Sequence, residues 1–483
     1  MYKIQEVRIA ETAREMIESG DWLVPRFNGE LRLQKPPLPY WLTAASYQFG
    51  GVGAVTTRLP AALAGLCLSL LLWLWVRREV GEEAACNGVL VLVTSFLGLR
   101  YFRSGEADAL LLLCISVACK LGFDILSGRH DAWRRILFGL ALGLGFLSKG
   151  PAGVAIPLLT LLLASLVERR RGGVRAAVAH FFSLPGVAAL LLVAFGWYAW
   201  IIWRLPEASQ LFFGRQIDET FITGNHPKPI WWYLSNWVEF FAPWSVLIVP
   251  AGIMAYRRRD TEMPVLIRFA WSWLAVVFVL LTATVNKQTQ YALLFAPPLA
   301  LILGHYLASA DGGFRRLNRI LFGLFCIAAI AGVGFALRKS ADVPQSLIWL
   351  ALPLVPPALA RMLGVRSLSW HLVLVAGLVS TAFLYSDAHL SKEPRKLAAQ
   401  SVMSDTAGYV PLFQIGPKPG AGELSFYAGR VVRPVDSEDI PELLDRYPDI
   451  WLVGEKLPEL PSASMVLIKQ ADELRLVKLS RRR

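Results

Sequence analysis

Residues Ala109–Cys119 read ALLLLCISVAC. They sit inside an apolar segment, 106–126, of roughly 20 residues, the length a helix needs to cross about 30 Å of hydrocarbon. Leu158–Leu166 and Val187–Phe195 are equally apolar cores of similar segments. An open sheet is excluded for such stretches, because its edge would leave backbone groups unpaired in lipid. The rest of the chain agrees. Of 483 residues 55% are hydrophobic and 18% charged, with a mean hydropathy of +0.47, far above that of soluble proteins.

Working outward from that segment, spans are expected at 56–76, 84–99, 106–126, 134–147, 151–167, 182–203, 237–256, 266–284, 289–308, 318–337, 346–363 and 367–386. The loops between them alternate. One set carries Arg77 and Arg78; Arg129, Arg134 and Arg135; Arg169–Arg171; Arg257–Arg259; Arg315 and Arg316; Arg361 and Arg366. The other is poor in basic residues and rich in Trp, Pro, Gly, Asn and Gln. Basic loops stay cytoplasmic, so about twelve spans place three larger pieces outside: 1–55, 204–236 and 387–483. An all-α polytopic membrane domain over 56–386 is therefore expected between an outer loop, 1–55, and an outer domain, 387–483. In that last piece β-like runs at Tyr409–Ile415, Ile450–Val453, Ser464–Ile468 and Leu474–Leu479, with a helical stretch at Ser437–Tyr447, read as a small α/β domain. An even span count with an outer tail needs an outer start, so one further helix is expected before residues 1–55.

The net charge of +13 belongs to the loop arginines and does not imply nucleic acid. The five cysteines, Cys67, Cys86, Cys114, Cys119 and Cys326, lie in apolar segments without metal or redox spacing, and read as small core residues. Trp clusters at span ends, as interfacial belts do.

Chemistry is sought in polar residues pinned at the outer face, where desolvation opposes them. Gln5–Ser19 has Val7, Ala10, Ala13 and Ile17 on one stripe, the pattern of a helix lying in the interface. On spacing alone its charges form a solvated face, with Glu6 and Arg8 at its start. Pro36, Pro37 and Pro39 then force an extended backbone that presents Lys35 beside Tyr40 and Trp41. Such a lysine suits a lipid phosphate or a snorkelling interface anchor. Arg103, Glu106 and Asp108 open the third span, Lys149 stands in Ser148–Pro151, His226 precedes a Pro- and Trp-rich run, and Lys287, Gln288, Gln290 and Tyr291 bracket another turn. The Lys-Gly-Pro step is too short to cradle a nucleotide phosphate. A transporter would scatter charges through the midplane and show pseudo-symmetric halves, and the sequence shows neither.

QEVRIAETAREMIESGDWLVPRFNGELRLQKPPLPYWL, residues 5–42, resembles the first periplasmic loop of bacterial dolichyl-phosphate-mannose-type glycosyltransferases, and within them the lipid A 4-amino-4-deoxy-L-arabinose transferases. FLSKGPAGVAIPLL (146–159), HPKPIWWYL (226–234), KQTQYALLFAPPLALI (287–302) and SFYAGR (425–430) extend the resemblance over nearly the whole chain. It implies a GT-C fold of about thirteen spans in the family, and transfer of a sugar from undecaprenyl phosphate to lipid A, another glycan or protein at the periplasmic face of a bacterial inner membrane. It implies Glu6 and Asp108 as catalytic acids, and Lys35, Arg8 and Lys149 as donor-phosphate contacts. Gln5, Gln34, Tyr291 and His226 fall at substrate-binding positions, and Glu6 and His226 at those of a divalent metal. Gln5 and Gln34 stand where the family has acids, and an amide cannot accept a proton at neutral pH. Two other readings follow: a non-catalytic relative, and a lipid or solute transporter.

The chemistry asks for these residue types. A departing polyprenyl phosphate carries negative charge that cations at the membrane rim stabilise. A hydroxyl acceptor also needs a carboxylate base, Glu6 or Asp108.

Overall fold

The computed structural model describes residues 4–129, 131–167, 183–206, 208–209, 227–258, 263–310, 313–314, 316–318, 320–321, 410–415, 421–455, 457, 463–471 and 474–481. In chain order the elements are α1 (Ile4–Ser19), β1 (Arg26–Phe27), β2 (Glu30–Leu31), α2 (Leu38–Gly50), α3 (Ala54–Glu79), α4 (Glu82–Thr94), α5 (Phe96–Tyr101), α6 (Asp108–Leu126), α7 (Ala132–Lys149), α8 (Ala152–Val167) and α9 (Leu184–Arg204). There follow α10 (Trp232–Ser235), α11 (Trp237–Phe240), α12 (Ile248–Arg257), α13 (Val265–Ala283), α14 (Ala296–Ser309), β3 (Leu412–Gln414), α15 (Ala421–Ala428), β4 (Arg433–Pro434), α16 (Ile440–Arg446), β5 (Asp449–Gly454), β6 (Ala463–Ala471) and β7 (Leu474–Arg481). They fall into two compact units: Met1–Leu33 with Pro39–Pro60 and Leu390–Arg483, and Gln34–Leu38 with Ala61–His389.

The second unit is a helical bundle. Among the described residues five helical stretches are long and apolar enough to cross a membrane: Ala54–Glu79, Asp108–Leu126, Leu184–Arg204, Val265–Ala283 and Thr289–Ser309. α6 lies inside the bundle, with Leu112, Ile115, Ala118 and Cys119 fully buried. α3 turns Leu63, Leu66, Leu70 and Leu74 outward and Leu68, Leu72 and Trp75 inward. Such an exposed apolar stripe is stable against hydrocarbon and not against water. Arg77 and Arg78 close that helix, where its dipole favours cations.

Two expected spans are broken. The run 84–99 is two helices: Ser95 is extended at φ −65°, ψ 147°, and its hydroxyl accepts the Gly98 N–H, restarting the chain as α5. The run 237–256 is α11, a 3-10 turn at Trp244–Leu247, and α12. Pro243 has no N–H to continue a helix. Polar groups at the break are met elsewhere: the Ala242 carbonyl accepts the Phe96 N–H at 3.0 Å, and the Trp244 side chain donates Nε1 to Thr94 Oγ1 at 2.9 Å. The expected spans 346–363 and 367–386, and nearly all of 318–337, lie outside the described residues. Cys114 and Cys119 are buried, but Cys67 is exposed on α3, so core packing does not account for it; Cys326 lies outside the described residues.

The first unit holds a five-stranded sheet ordered β4-β3-β5-β7-β6, parallel across β4-β3-β5 and antiparallel across β5-β7-β6. Successive residues of a strand face opposite ways, and β5 uses both. Trp451 and Val453 pack with Leu424 and Ala428 of α15, while Ile450 and Leu452 pack with Ile440 and Leu444 of α16. α15 also meets the N-terminal residues, since Phe426 packs with Ala10, Ala13, Ala44 and Tyr47. The solvated charged face expected for α1 is absent: Glu6, Glu11 and Arg14 are buried along with Val7, Ala10 and Ala13. Ion pairs replace water, with Arg14 Nη2 2.6 Å from Glu11 Oε1 and a second contact to Glu18.

Candidate functional site

The bundle contributes a cluster at one end of α6, α7 and the 3-10 helix Thr289–Phe295. Asp108 occupies the first turn of α6 and Lys149 the last turn of α7, each at the helix end whose dipole favours its charge. Gly150, at φ 90°, stops α7 and turns the chain into α8. A side chain on Gly153 would meet the Gly145 backbone at 2.2 Å, so a glycine there lets α8 return tightly against α7. Lys149 Nζ donates to Asp108 Oδ1 at 2.5 Å and lies 5.1 Å from the centre of the Tyr291 ring. Glu106, in the turn before α6, is near enough for its charge to act on Lys149.

The turn that carries Tyr291 is braced by the segment after His226. Pro227 bridges to Asn286, the Lys228 N–H donates to the Val285 carbonyl at 3.3 Å, and Tyr233 Oη donates to the Gln288 carbonyl at 3.4 Å. Three expected site residues, Asp108, Lys149 and Tyr291, are thus brought together. Gln34 and Lys35 are exposed in this unit, at a bend in place of the extended backbone expected from the prolines, and Pro36 and Pro37 after them are buried. His226 lies outside the described residues.

The first unit contributes Gln5, Glu6 and Arg8. Gln5 and Arg8 are half-buried on α1. Glu6 is fully buried, and Arg58 clamps it, Nε to Oε1 at 2.6 Å and Nη2 to Oε2 at 3.3 Å. Burial, and then the neighbouring charge of Arg32, hold Arg8 below the usual guanidinium pKa. Arg32 in turn donates Nε to Tyr40 Oη at 3.0 Å and stacks 5.4 Å from the Phe27 ring centre. Two guanidinium groups held close together prepare a place for an anion. Sequence reasoning missed both Arg32 and Arg58. Arg32 stands three positions before Lys35 in the same quoted run, which could have drawn attention to it, whereas Arg58 pairs with Glu6 across 52 positions.

Glu15 fixes the hairpin that carries Arg32. Its carboxylate accepts the Asn28 N–H at 2.5 Å and the Gly29 N–H at 3.1 Å. Asn28 and Gly29 have φ of 54° and 78°, the two left-handed positions of a tight hairpin turn. Ser425 of the SFYAGR run donates its hydroxyl to Asn28 Oδ1 at 2.8 Å.

Residues 34–200 match the family described as dolichyl-phosphate-mannose-protein mannosyltransferase. The whole chain matches ArnT from Cupriavidus metallidurans bound to undecaprenyl phosphate with a TM-score of 0.82 and 22% identity, over 98% of this chain and 93% of that one. The chain shares the GT-C fold of that protein. The oligosaccharyltransferase AglB of Archaeoglobus fulgidus shares the GT-C fold more distantly, with a TM-score of 0.51 and 11% identity over 93% of this chain and 65% of that one. In sequence the chain is 31% identical over 343 residues to the undecaprenyl phosphate-alpha-4-amino-4-deoxy-L-arabinose arabinosyl transferase of Edwardsiella ictaluri, covering 68% of this chain and 61% of that protein. The transferase of the same name in Aeromonas salmonicida is 30% identical over 68% of this chain and 62% of that protein. The chain thus spans about three fifths of the length of these relatives.

A divalent metal fits the described residues poorly. Arg58 already donates to both oxygens of Glu6, and Gln5 beside it offers a neutral amide. Among the described residues no group of three or more His, Cys, Asp and Glu is placed to hold a metal ion.

Proposed function

We propose that this GT-C chain is a membrane glycosyltransferase that moves a sugar from undecaprenyl phosphate to an acceptor on lipid A, another glycan or a protein. The observation that carries this reading is the cluster of Lys149, Asp108 and Tyr291 at one end of a bundle whose fold is shared with an undecaprenyl-phosphate-bound protein. In the reaction the bond from the anomeric carbon to the donor phosphate oxygen breaks, and the phosphate leaves with the electron pair. A bond to the acceptor oxygen forms. Lys149 and Lys35, both of the helical unit, stabilise the departing phosphate, and fixed cations are most effective where water is excluded. Asp108 holds the Lys149 ammonium in place beside the Tyr291 ring.

Glu6 or Asp108 is the candidate base for a hydroxyl acceptor, and Gln5, Gln34, Tyr291 and His226 are the candidates for positioning substrate. The setting we infer is a bacterial inner membrane, and the alternation of basic loops supports this cluster facing away from the cytoplasm. It also supports residues 1–55 and 387–483 as the pieces outside the spanning region 56–386.

The test is binding of undecaprenyl phosphate to the purified chain in lipid nanodiscs. Saturable binding that weakens about tenfold or more in Lys35→Ala and Lys149→Ala is expected. No binding, or equal binding by the variants, contradicts the reading. Gln5 and Gln34, standing where acids are expected, favour a second reading, a relative that binds the lipid phosphate without transferring sugar. Donor binding without any turnover would select it.

A further inference from the structure

A cavity of about 150 Å³ lies among the ends of α12, α13 and α14. It is remote from the Lys149 cluster. α14 begins just after Tyr291 and runs from Ala296 to Ser309, about 20 Å at 1.5 Å per residue, and the cavity is lined by His305 and Ser309 at its far end. This is the end of the bundle that carries Arg257 and Arg258.

The lining has two characters. Met254, Ile267 and Ile302 make an apolar wall, while Arg258, His305 and Trp271 bring nitrogen donors, and among the described residues no carboxylate lines the cavity. Arg258 Nη1 donates to the Ser309 carbonyl at 3.2 Å, which holds the guanidinium at the rim and caps the end of α14. Trp271 Nε1 is buried without a hydrogen-bond partner. A buried donor left unsatisfied is unfavourable, and an acceptor entering the cavity would relieve it.

We propose that this cavity binds a phosphoryl group, as the head of an anionic phospholipid or as free phosphate. An anion gains charge-assisted bonds from Arg258 and a bond from Trp271. The apolar wall takes the first carbons of a glycerol backbone. Basic residues at a membrane surface already concentrate anionic lipid there.

The experiment uses the full chain in nanodiscs of neutral phosphatidylcholine, read by native mass spectrometry and by the thermal unfolding midpoint. Phosphatidylglycerol and inorganic phosphate are added separately. The wild-type chain is expected to retain one of them and to unfold at a higher temperature with it. Retention should fall about tenfold or more in Arg258→Gln and measurably in Trp271→Phe, which removes the donor and keeps the ring. Retention of phosphatidylglycerol alone identifies the lipid source, and competition by millimolar phosphate identifies the free anion. If neither ligand is retained, or if both variants retain it as the wild type does, the proposal is wrong. Neither variant touches the Lys149 cluster, so a loss here leaves donor binding there unchanged.

Discussion

Lys149 Nζ and Asp108 Oδ1 lie 2.5 Å apart although 41 positions separate them in sequence. The pair ties the end of α7 to the start of α6 and fixes one cation beside Tyr291. Lys149→Ala should lower transfer about 100-fold and destabilise the bundle by about 2 kcal/mol, because Asp108 is left without its partner. The double variant Lys149→Met with Asp108→Leu should recover most of that stability and none of the activity. Recovered transfer in the double variant would reduce the pair to a structural tie.

Glu6 and Arg58 make the comparable pair in the other unit. Glu6→Gln leaves Arg58 facing a neutral amide across a buried contact, and should lower stability by about 2 kcal/mol. If Glu6 also receives the acceptor proton, turnover should fall while undecaprenyl phosphate still binds. Unchanged turnover in steady-state kinetics would pass the base role to Asp108, or to no protein group at all.

Glu11 gives a pH dependence. Burial pushes its carboxyl up to about 7 against the pull of Arg14. The folded state therefore binds a proton that the unfolded state, with an ordinary carboxyl near 4.5, has lost. Its contribution to stability is fully present below about pH 4.5 and disappears as the pH rises through about 7. The thermal midpoint of the wild type, measured relative to Glu11→Gln from pH 5 to pH 8, should fall with rising pH. A flat or rising difference would contradict the assignment.

Much of the fold is legible in the sequence because lipid imposes a local rule. A run of about 20 apolar residues must be a helix, and α3, α6, α9 and α13 follow it. The alternation of residues on β5 likewise survives into a sheet packed on both faces. The failures are places where a distant partner decides. Ser95 and Pro243 break helices that hydropathy alone would run straight through, and Thr94 and the Phe96 N–H satisfy the polar groups of the second break. The charges of α1 look solvated from spacing because their counter-charges include Arg58, which spacing cannot supply. In the candidate site the residue types at 6, 8, 35, 108, 149 and 291 stand out as polar groups at a membrane rim. Their pairings, Lys149 with Asp108 and Glu6 with Arg58, are products of the tertiary fold.

The central claim is tested most directly by sugar transfer itself. Purified protein in lipid vesicles is given undecaprenyl-phosphate-linked sugars with lipid A as acceptor, and release of free undecaprenyl phosphate is followed by mass spectrometry. Wild-type protein should release it, and Lys35→Ala should release it at least about 100-fold more slowly. The unfolding midpoint of that variant is measured alongside, so that a loss of fold is told apart from a loss of transfer. No release from any donor by the wild type, or equal release by Lys35→Ala, would contradict the account.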